Sequence, residues 1–309
     1  MHIPDGFLSL PVWSAMDGAA VPSVAWLARR AQQRCADHRI PLMGVMGAFV
    51  FAAQMINFPV GSGTSAHLLG GALLSFTLGP APASIVMTAI LAIQALVFQD
   101  GGLLALGANV FNMAIAGVAA GYLPYALLKG RPAGMFLGGL CSVMVSGVLA
   151  LSELRISGVP MPRMMLAISI VVFVVAGVCE GVITMAVTRA LVRRDRGLIR
   201  QPGMIGRRRV LSVVAASLML AVAGVFVTSA RPDGIQKIIA ESGLGAKGAG
   251  WFAAPIAGYN FTFPSISLSG SSSLTKILAA LTGVFLVYLL CASVARLFRA
   301  PDPSREEGA

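Results

Sequence analysis

Charge is scarce in this sequence. Only 11% of its 309 residues are Asp, Glu, Lys or Arg, against roughly 25% in a soluble domain. Hydrophobic residues make up 57%, and the mean hydropathy is +0.83. A soluble core of this length cannot absorb so much apolar surface, so lipid is the solvent for most of the chain. Cysteine is sparse as well. Cys35, Cys141, Cys179 and Cys291 form no CxxC pair, and three of them sit inside apolar runs. That pattern excludes a cysteine zinc site or a disulfide framework and leaves small packed residues. No GxxxxGK[ST] stretch occurs, so the usual phosphate-cradling loop is missing. GxSxG and HExxH are missing too, which argues against an intramembrane hydrolase. The start, MHIPDGFLSL, lacks the basic segment of a signal peptide and is interrupted by Asp5, so these residues are expected to be kept.

What the sequence does have is a succession of apolar runs. About 20 apolar residues cross a bilayer as a helix. Candidate spans are 9–28, 40–57, 67–79, 83–98, 107–128, 132–150, 164–188, 210–229 and 275–295, the third being short and closed by Gly79-Pro80-Ala81-Pro82. The 35 glycines suit close helix packing in lipid. The net charge of +11 comes in short clusters between the runs, which reads as membrane topology rather than a nucleic-acid surface. Placing the N-terminus outside puts Arg29, Arg30, Arg34, Arg39, Lys129, Arg131, the stretch Arg189–Arg209 and the tail Arg296, Arg299 and Arg305 inside, as the positive-inside rule favours. Only Arg155, Arg163, Arg231, Lys237, Lys247 and Lys276 then fall elsewhere. The expected architecture is an all-α integral membrane protein, N-terminus outside and C-terminus inside. It comprises a seven-helix module over residues 1–188, a basic cytoplasmic linker over 189–209 and a two-helix segment over 210–309. The linker could dock on a cytoplasmic partner or on anionic lipid, although topology alone accounts for its charge.

Histidine is rarer still, with three in the chain: His2, His38 and His67. His38 lies in the basic stretch 29–39 and reads as a solvated loop residue. His2 and His67 both fall on the expected outer side. A histidine at position 2 can be an ordinary terminus, and one at a helix start can be a cap. Together they allow something more specific. The α-amine of Met1 and the amide nitrogen of His2 close a five-membered chelate ring on a metal. That amide and Nδ1 of the His2 imidazole close a six-membered one. Three nitrogens then lie in a plane with one position open, and the imidazole of His67 can complete it. A planar set of four nitrogens suits Ni(II) or Cu(II). Binding displaces protons, because the amide and amine must be deprotonated. Met1 is expected to remain, since its removal generally requires a small second residue.

Other polar residues have plainer readings beside functional ones. Thr64 and Ser65 tighten the loop before His67, either as support for its imidazole or as a helix N-cap. Asp5-Gly6 reads as a turn that folds the N-terminus back, with a supporting hydrogen bond from Asp5 near the site as the functional alternative. Asp17 and Glu180 are costly within apolar runs and mark either subunit contacts or positions near the membrane interface. Gln54, Asn57, Gln94, Asn109 and Asn112 suit hydrogen bonds between helices, with Asn109 also a candidate for supporting the site.

The start MHIPDGFLS, Asn57-Phe58-Pro59-Val60, Gly63-Thr64-Ser65-Ala66-His67-Leu68-Leu69-Gly70-Gly71, Gln99-Asp100-Gly101-Gly102 and Gly107-Ala108-Asn109-Val110-Phe111-Asn112-Met113 together resemble the substrate-capturing subunits of energy-coupling factor cobalt and nickel transporters, the CbiM/NikM family. The resemblance covers roughly residues 1–190. It implies metal ligation by Met1, His2 and His67, with Ni(II) or Co(II) as transported substrate and no catalytic cofactor. It also implies a transmembrane coupling component and ABC-type ATPase subunits as partners, in the bacterial cytoplasmic (inner) membrane. Residues 210–298 resemble the small two-helix companion subunit of these transporters. Pro232-Asp233-Gly234 matches the start of its PDGLE signature, and Ile235-Gln236 departs from it. Fusion of that companion is common on the nickel side of the family, which favours nickel. The alternative is a secondary carrier that works without ATPases.

Overall fold

In the computed structural model, residues 1–34, 40–61, 64–194, 207–229, 231–241, 252–259 and 273–297 are described. His38, Cys35 and much of the basic linker lie outside them. Helices dominate, as the apolar runs require, because a backbone in lipid must satisfy its hydrogen bonds internally. In chain order they are α1 (Leu10–Arg34), α2 (Ile40–Gln54), α3 (Gly71–Leu78), α4 (Pro80–Ile93), α5 (Leu106–Asn109), α6 (Val118–Leu127), α7 (Pro132–Ile156), α8 (Arg163–Arg194), α9 (Arg207–Val227), α10 (Gly234–Glu241) and α11 (Ser273–Leu297). A π-helical turn, Gln94–Phe98, extends α4, and another, Val110–Gly117, joins α5 to α6. Among the described residues, five helical stretches are long and apolar enough to cross a membrane: Pro80–Phe98, Leu106–Leu127, Pro132–Ile156, Arg163–Arg193 and Leu274–Val294. Pro41–Gln54 and Leu211–Phe226 are shorter apolar helices.

Among the described residues, the architecture departs from an all-helical expectation between Asn57 and His67. The segment expected as a plain outer loop pairs into an antiparallel hairpin, β1 (Asn57–Gly61) with β2 (Thr64–His67). Asn57 sits opposite His67 and Phe58 opposite Ala66. His67 therefore ends a strand instead of opening a helix, and α3 starts four residues later. The cause lies in α8. The buried Glu180 carboxylate accepts the backbone N–H of Leu69 at 2.8 Å and of Gly70 at 2.9 Å. It takes up two donors that a helix beginning at His67 would have left unpaired at its first turn. Gly70 has φ +76, and a side chain there would run into Val50, so the bend needs glycine. Glu180 thus serves as an internal bracket between α8 and the turn before α3.

Helix α3 is only about 12 Å long at 1.5 Å per residue, and all its residues are buried. A helix apolar all round belongs inside a bundle. It ends at Gly79 (φ +88), and Pro80 opens α4, as proline at a first helical position permits. Close approach elsewhere relies on small residues: a Cβ at Gly139 of α7 would lie 2.7 Å from the Cα of Gly181 in α8. Gln94 donates to Gln54 Oε1 at 2.8 Å, and Gln54 donates to Leu69 O at 2.7 Å, so these amides join helices as expected. Helix α2 packs against both α9 and α11, with Gly47 facing Cys291 and Gly283 facing Phe51. Cys141, Cys179 and Cys291 are unpaired. The N-terminal loop, the β-hairpin, the loop after α4 and parts of the tail gather at one end of the bundle, and the candidate site is built there.

Candidate metal-capture site

The N-terminus is folded inward. Met1 is 7%, His2 6% and His67 9% exposed. Three contacts hold the strand-like start of the chain. Ile3 donates its N–H to Asn109 Oδ1 at 2.8 Å, Asn109 Nδ2 donates to Ile3 O at 3.0 Å, and Gly102 N–H donates to the same carbonyl at 2.9 Å. Asp5 then turns the chain. Its carboxylate accepts the N–H of Leu103 at 3.0 Å and of Leu104 at 2.8 Å, while Gly6 takes φ +89. Gly101, at φ +102, leaves room for His2, since a Cβ there would meet His2 Cβ and Asn109 Nδ2 at 3.3 Å each.

These restraints bring the two ends of the motif together. The Met1 α-nitrogen lies 2.7 Å from His67 Nε2. The His2 and His67 rings stack, 5.4 Å between centroids and 7° from parallel. His67 Nδ1 lies 3.0 Å from Leu68 O, a partner that fixes the tautomer and leaves Nε2 with its lone pair toward Met1. Burial first, then the Met1 ammonium and His2, push the His67 pKa down to about 3. His67 is therefore neutral at pH 7 and ready to donate to a cation.

Two carboxylates line the same cleft. Asp100 Oδ1 lies 3.4 Å from His2 Nδ1, and Asp100 Oδ2 accepts the Tyr259 hydroxyl at 2.9 Å. Asp233 Oδ2 lies 2.6 Å from the Met1 α-nitrogen. Burial pushes both acids up, but the charges around them win. His2 chiefly, with His67 and the amine, holds Asp100 well below the usual carboxylate range. The amine and His67 do the same for Asp233. Tyr259 is pushed well above its ordinary value by burial and by the Asp100 charge.

Met1, His2 and His67 are thus brought together as the sequence suggested. The supporting residues are near but act on backbone. Asp5 and Asn109 shape the N-terminal loop. Ser65 donates its hydroxyl to Arg231 O at 2.6 Å, and Thr64 is buried at the start of β2, opposite Gly61. Asp100, Asp233 and Tyr259 were not foreseen as members of the site. Asp100 lies in a stretch already noticed for its motif and Asp233 in the PDG triplet, but nothing in one sequence joins either to residue 1. Among the described residues, no three His, Cys, Asp or Glu side chains form a group able to hold a metal. A metal at this place needs main-chain nitrogen. To join a chelate with the Met1 amine His2 would have to turn its ring, because Nδ1 faces Asp100 while the buried Nε2 has no hydrogen-bond partner.

Residues 2–198 match the family model described as CbiM, cobalt uptake substrate-specific transmembrane region. The chain belongs to the CbiM family. A putative fused nickel transport protein NikMN of Archaeoglobus fulgidus is 33% identical over 305 residues, covering 97% of this chain and 99% of the relative. A cobalt transport protein CbiM of Acetoanaerobium sticklandii is 30% identical over 165 residues, 51% of this chain and 67% of its own. A crystal structure of a truncated transition metal transporter is 32% identical, with a TM-score of 0.49, covering 63% of this chain and 99% of that one. The CbiM match ends before α9, whereas the fused relative runs on through α9, α10 and α11. Membership of CbiM makes the chain a transmembrane component of metal uptake, and the relatives are named as nickel and cobalt transport proteins rather than enzymes.

Proposed function

We propose that this chain is the substrate-capturing subunit of an energy-coupling factor nickel transporter. It takes Ni(II) from the outer face through the α-amine, the His2 amide, His2 Nδ1 and His67 Nε2. The observation that carries this reading is the buried 2.7 Å approach of the Met1 α-nitrogen to His67 Nε2. Two donors from opposite ends of the motif converge there, and one of them is neutral at pH 7. Four nitrogen donors in a plane suit Ni(II). Resemblance over nearly the whole chain to a fused protein named for nickel favours nickel over cobalt.

Capture proceeds in exchanges. The ion displaces a proton from the α-amine and one from the His2 amide. The His2 ring turns about its Cβ–Cγ bond so that Nδ1 leaves Asp100 and joins the plane, and Nε2 takes over as the partner of Asp100. Nickel is the cargo, so the complex must later open. The chain has no phosphate loop, so the energy comes from separate ATPases joined through a transmembrane coupling protein. A secondary carrier would need free charges along the path. Glu180 is a poor candidate, because its carboxylate already accepts two backbone N–H groups. Residues 1–188 form the capture module, and residues 210–309 act as its fused companion.

The test is nickel uptake into vesicles. Uptake is expected only when the ATPase and coupling subunits and ATP are present. Robust accumulation by this chain alone would overturn the reading in favour of a secondary carrier.

A further inference from the structure

The Met1 α-amine has a second partner, and it comes from the far side of the chain. Asp233 lies 232 positions away, yet its Oδ2 is 2.6 Å from the Met1 nitrogen. The surrounding tail is built to deliver it. Ser65 donates its N–H to Pro232 O at 2.8 Å and its hydroxyl to Arg231 O at 2.6 Å. Ser65 and Asp233 form a parallel bridge, so residues 231–233 lie along the outer edge of β2. Asp233 also begins α10: Gln236 N–H donates to Asp233 Oδ1 at 2.8 Å, and Asp233 N–H donates to Gln236 Oε1 at 3.1 Å. This is a reciprocal cap, in which glutamine serves as well as glutamate. The departure of Gln236 from the PDGLE pattern therefore keeps the cap. One carboxylate oxygen holds the helix and the other is left for the N-terminus.

We propose that Asp233 is a positioning residue of metal capture: the tail's carboxylate holds the Met1 α-amine beside His67 and remains as counter-charge once the ion is bound. This rests on Met1, His2 and His67 being the ligands. A divalent ion bound through one deprotonated amide keeps a net positive charge. In a buried cleft that charge is costly unless it is compensated. Asp100 is engaged with the His2 ring and Tyr259. Asp233 is the carboxylate in contact with the amine. The companion segment thus supplies part of the capture site, which the module ending near residue 190 does not contain.

The cap and the counter-charge can be separated. Asn and Ser cap helices about as well as Asp, but Asn has no charge and Ser is too short to reach the amine. Nickel titration of the purified full chain should show Asp233→Asn weaker than the parent by about tenfold or more, the scale of losing a ligand's supporting partner. Asp233→Ser should lose at least as much. Gln236→Ala, which removes the return half of the cap from Gln236 Oε1 but keeps the Asp233 carboxylate and its bond from the residue 236 N–H, should stay within about threefold. The visible ligand-field band of bound nickel should keep its wavelength in Asp233→Asn, because the donor atoms are unchanged. Asp233→Asn binding as tightly as the parent overturns the proposal. So does a loss in Gln236→Ala equal to that in Asp233→Asn, which makes the role structural, or a displaced band, which makes Asp233 a ligand. A parent that binds no nickel overturns the site assignment itself and this proposal with it.

Discussion

The α-nitrogen of Met1 and Nε2 of His67 lie 2.7 Å apart although 66 positions separate them in the chain. Neither residue reaches the other by its own element. Met1 is placed by Asn109 and Asp5, and His67 by a strand whose end is fixed by Glu180. The site is therefore only as good as the residues that hold those two backbones, and they make the most informative mutations.

Asn109→Ala should free the N-terminal loop while leaving the bundle folded. It removes the acceptor for the buried Ile3 N–H, and an orphaned buried donor costs about 1–3 kcal/mol. The Ile3 carbonyl keeps Gly102 as donor, so Asn109→Asp, which retains an acceptor, should lose less. Thermal unfolding in detergent, with and without nickel, checks the order: parent, then Asp, then Ala.

Acid should loosen the metal-free site. His67 has a folded pKa of about 3 against an ordinary 6.5. Between those values the unfolded chain takes up a proton that the folded site refuses, so stability is lost as pH falls below about 6.5. Asp100 and Asp233 have folded values below the ordinary 3.8. Their contribution is present above that value and is lost as pH falls through it, in the same direction. The thermal midpoint of the parent should drop between pH 7 and pH 5, and His67→Gln should flatten that drop. An equally steep drop in His67→Gln assigns it to other groups.

Much of this was legible in the sequence, and the reasons for the remainder are physical. The apolar runs marked the helices because the bilayer imposes length and composition on each span, and Gly79-Pro80 marked the break between α3 and α4. The meeting of Met1, His2 and His67 was expected from the chelate rings that covalent structure allows, and the fold brings the three together. The hairpin around His67 was not. Its strands are short, and the restraint that stops a helix from starting there is Glu180, over a hundred residues away. Asp100, Asp233 and Tyr259 escaped notice for the same reason: a carboxylate in a loop carries no mark of which nitrogen it will face. Glycine-rich Gln99-Asp100-Gly101-Gly102 was the nearest signal, and its meaning is the room that Gly101 leaves for His2.

The basic clusters favour an N-terminus outside, and labelling tests that orientation. Pro162 and Arg131 are exposed at opposite ends of the pair α7 and α8. In a background without reactive cysteines, Pro162→Cys should react with an impermeant thiol reagent added outside, and Arg131→Cys should react only after the membrane is opened. The reverse pattern would place the N-terminus inside and remove the outer-face assignment.

The central claim is that His67 completes a metal plane begun by Met1 and His2. Equilibrium dialysis of nickel against purified parent and His67→Ala, at one pH and with an intact Met1 verified by mass, tests it most directly. His67→Ala leaves three nitrogens and an open position, and its affinity should fall by a factor on the order of 10–100 or more, since loss of a ligand matters at least as much as loss of a ligand's partner. Equal affinity in parent and His67→Ala would contradict the site.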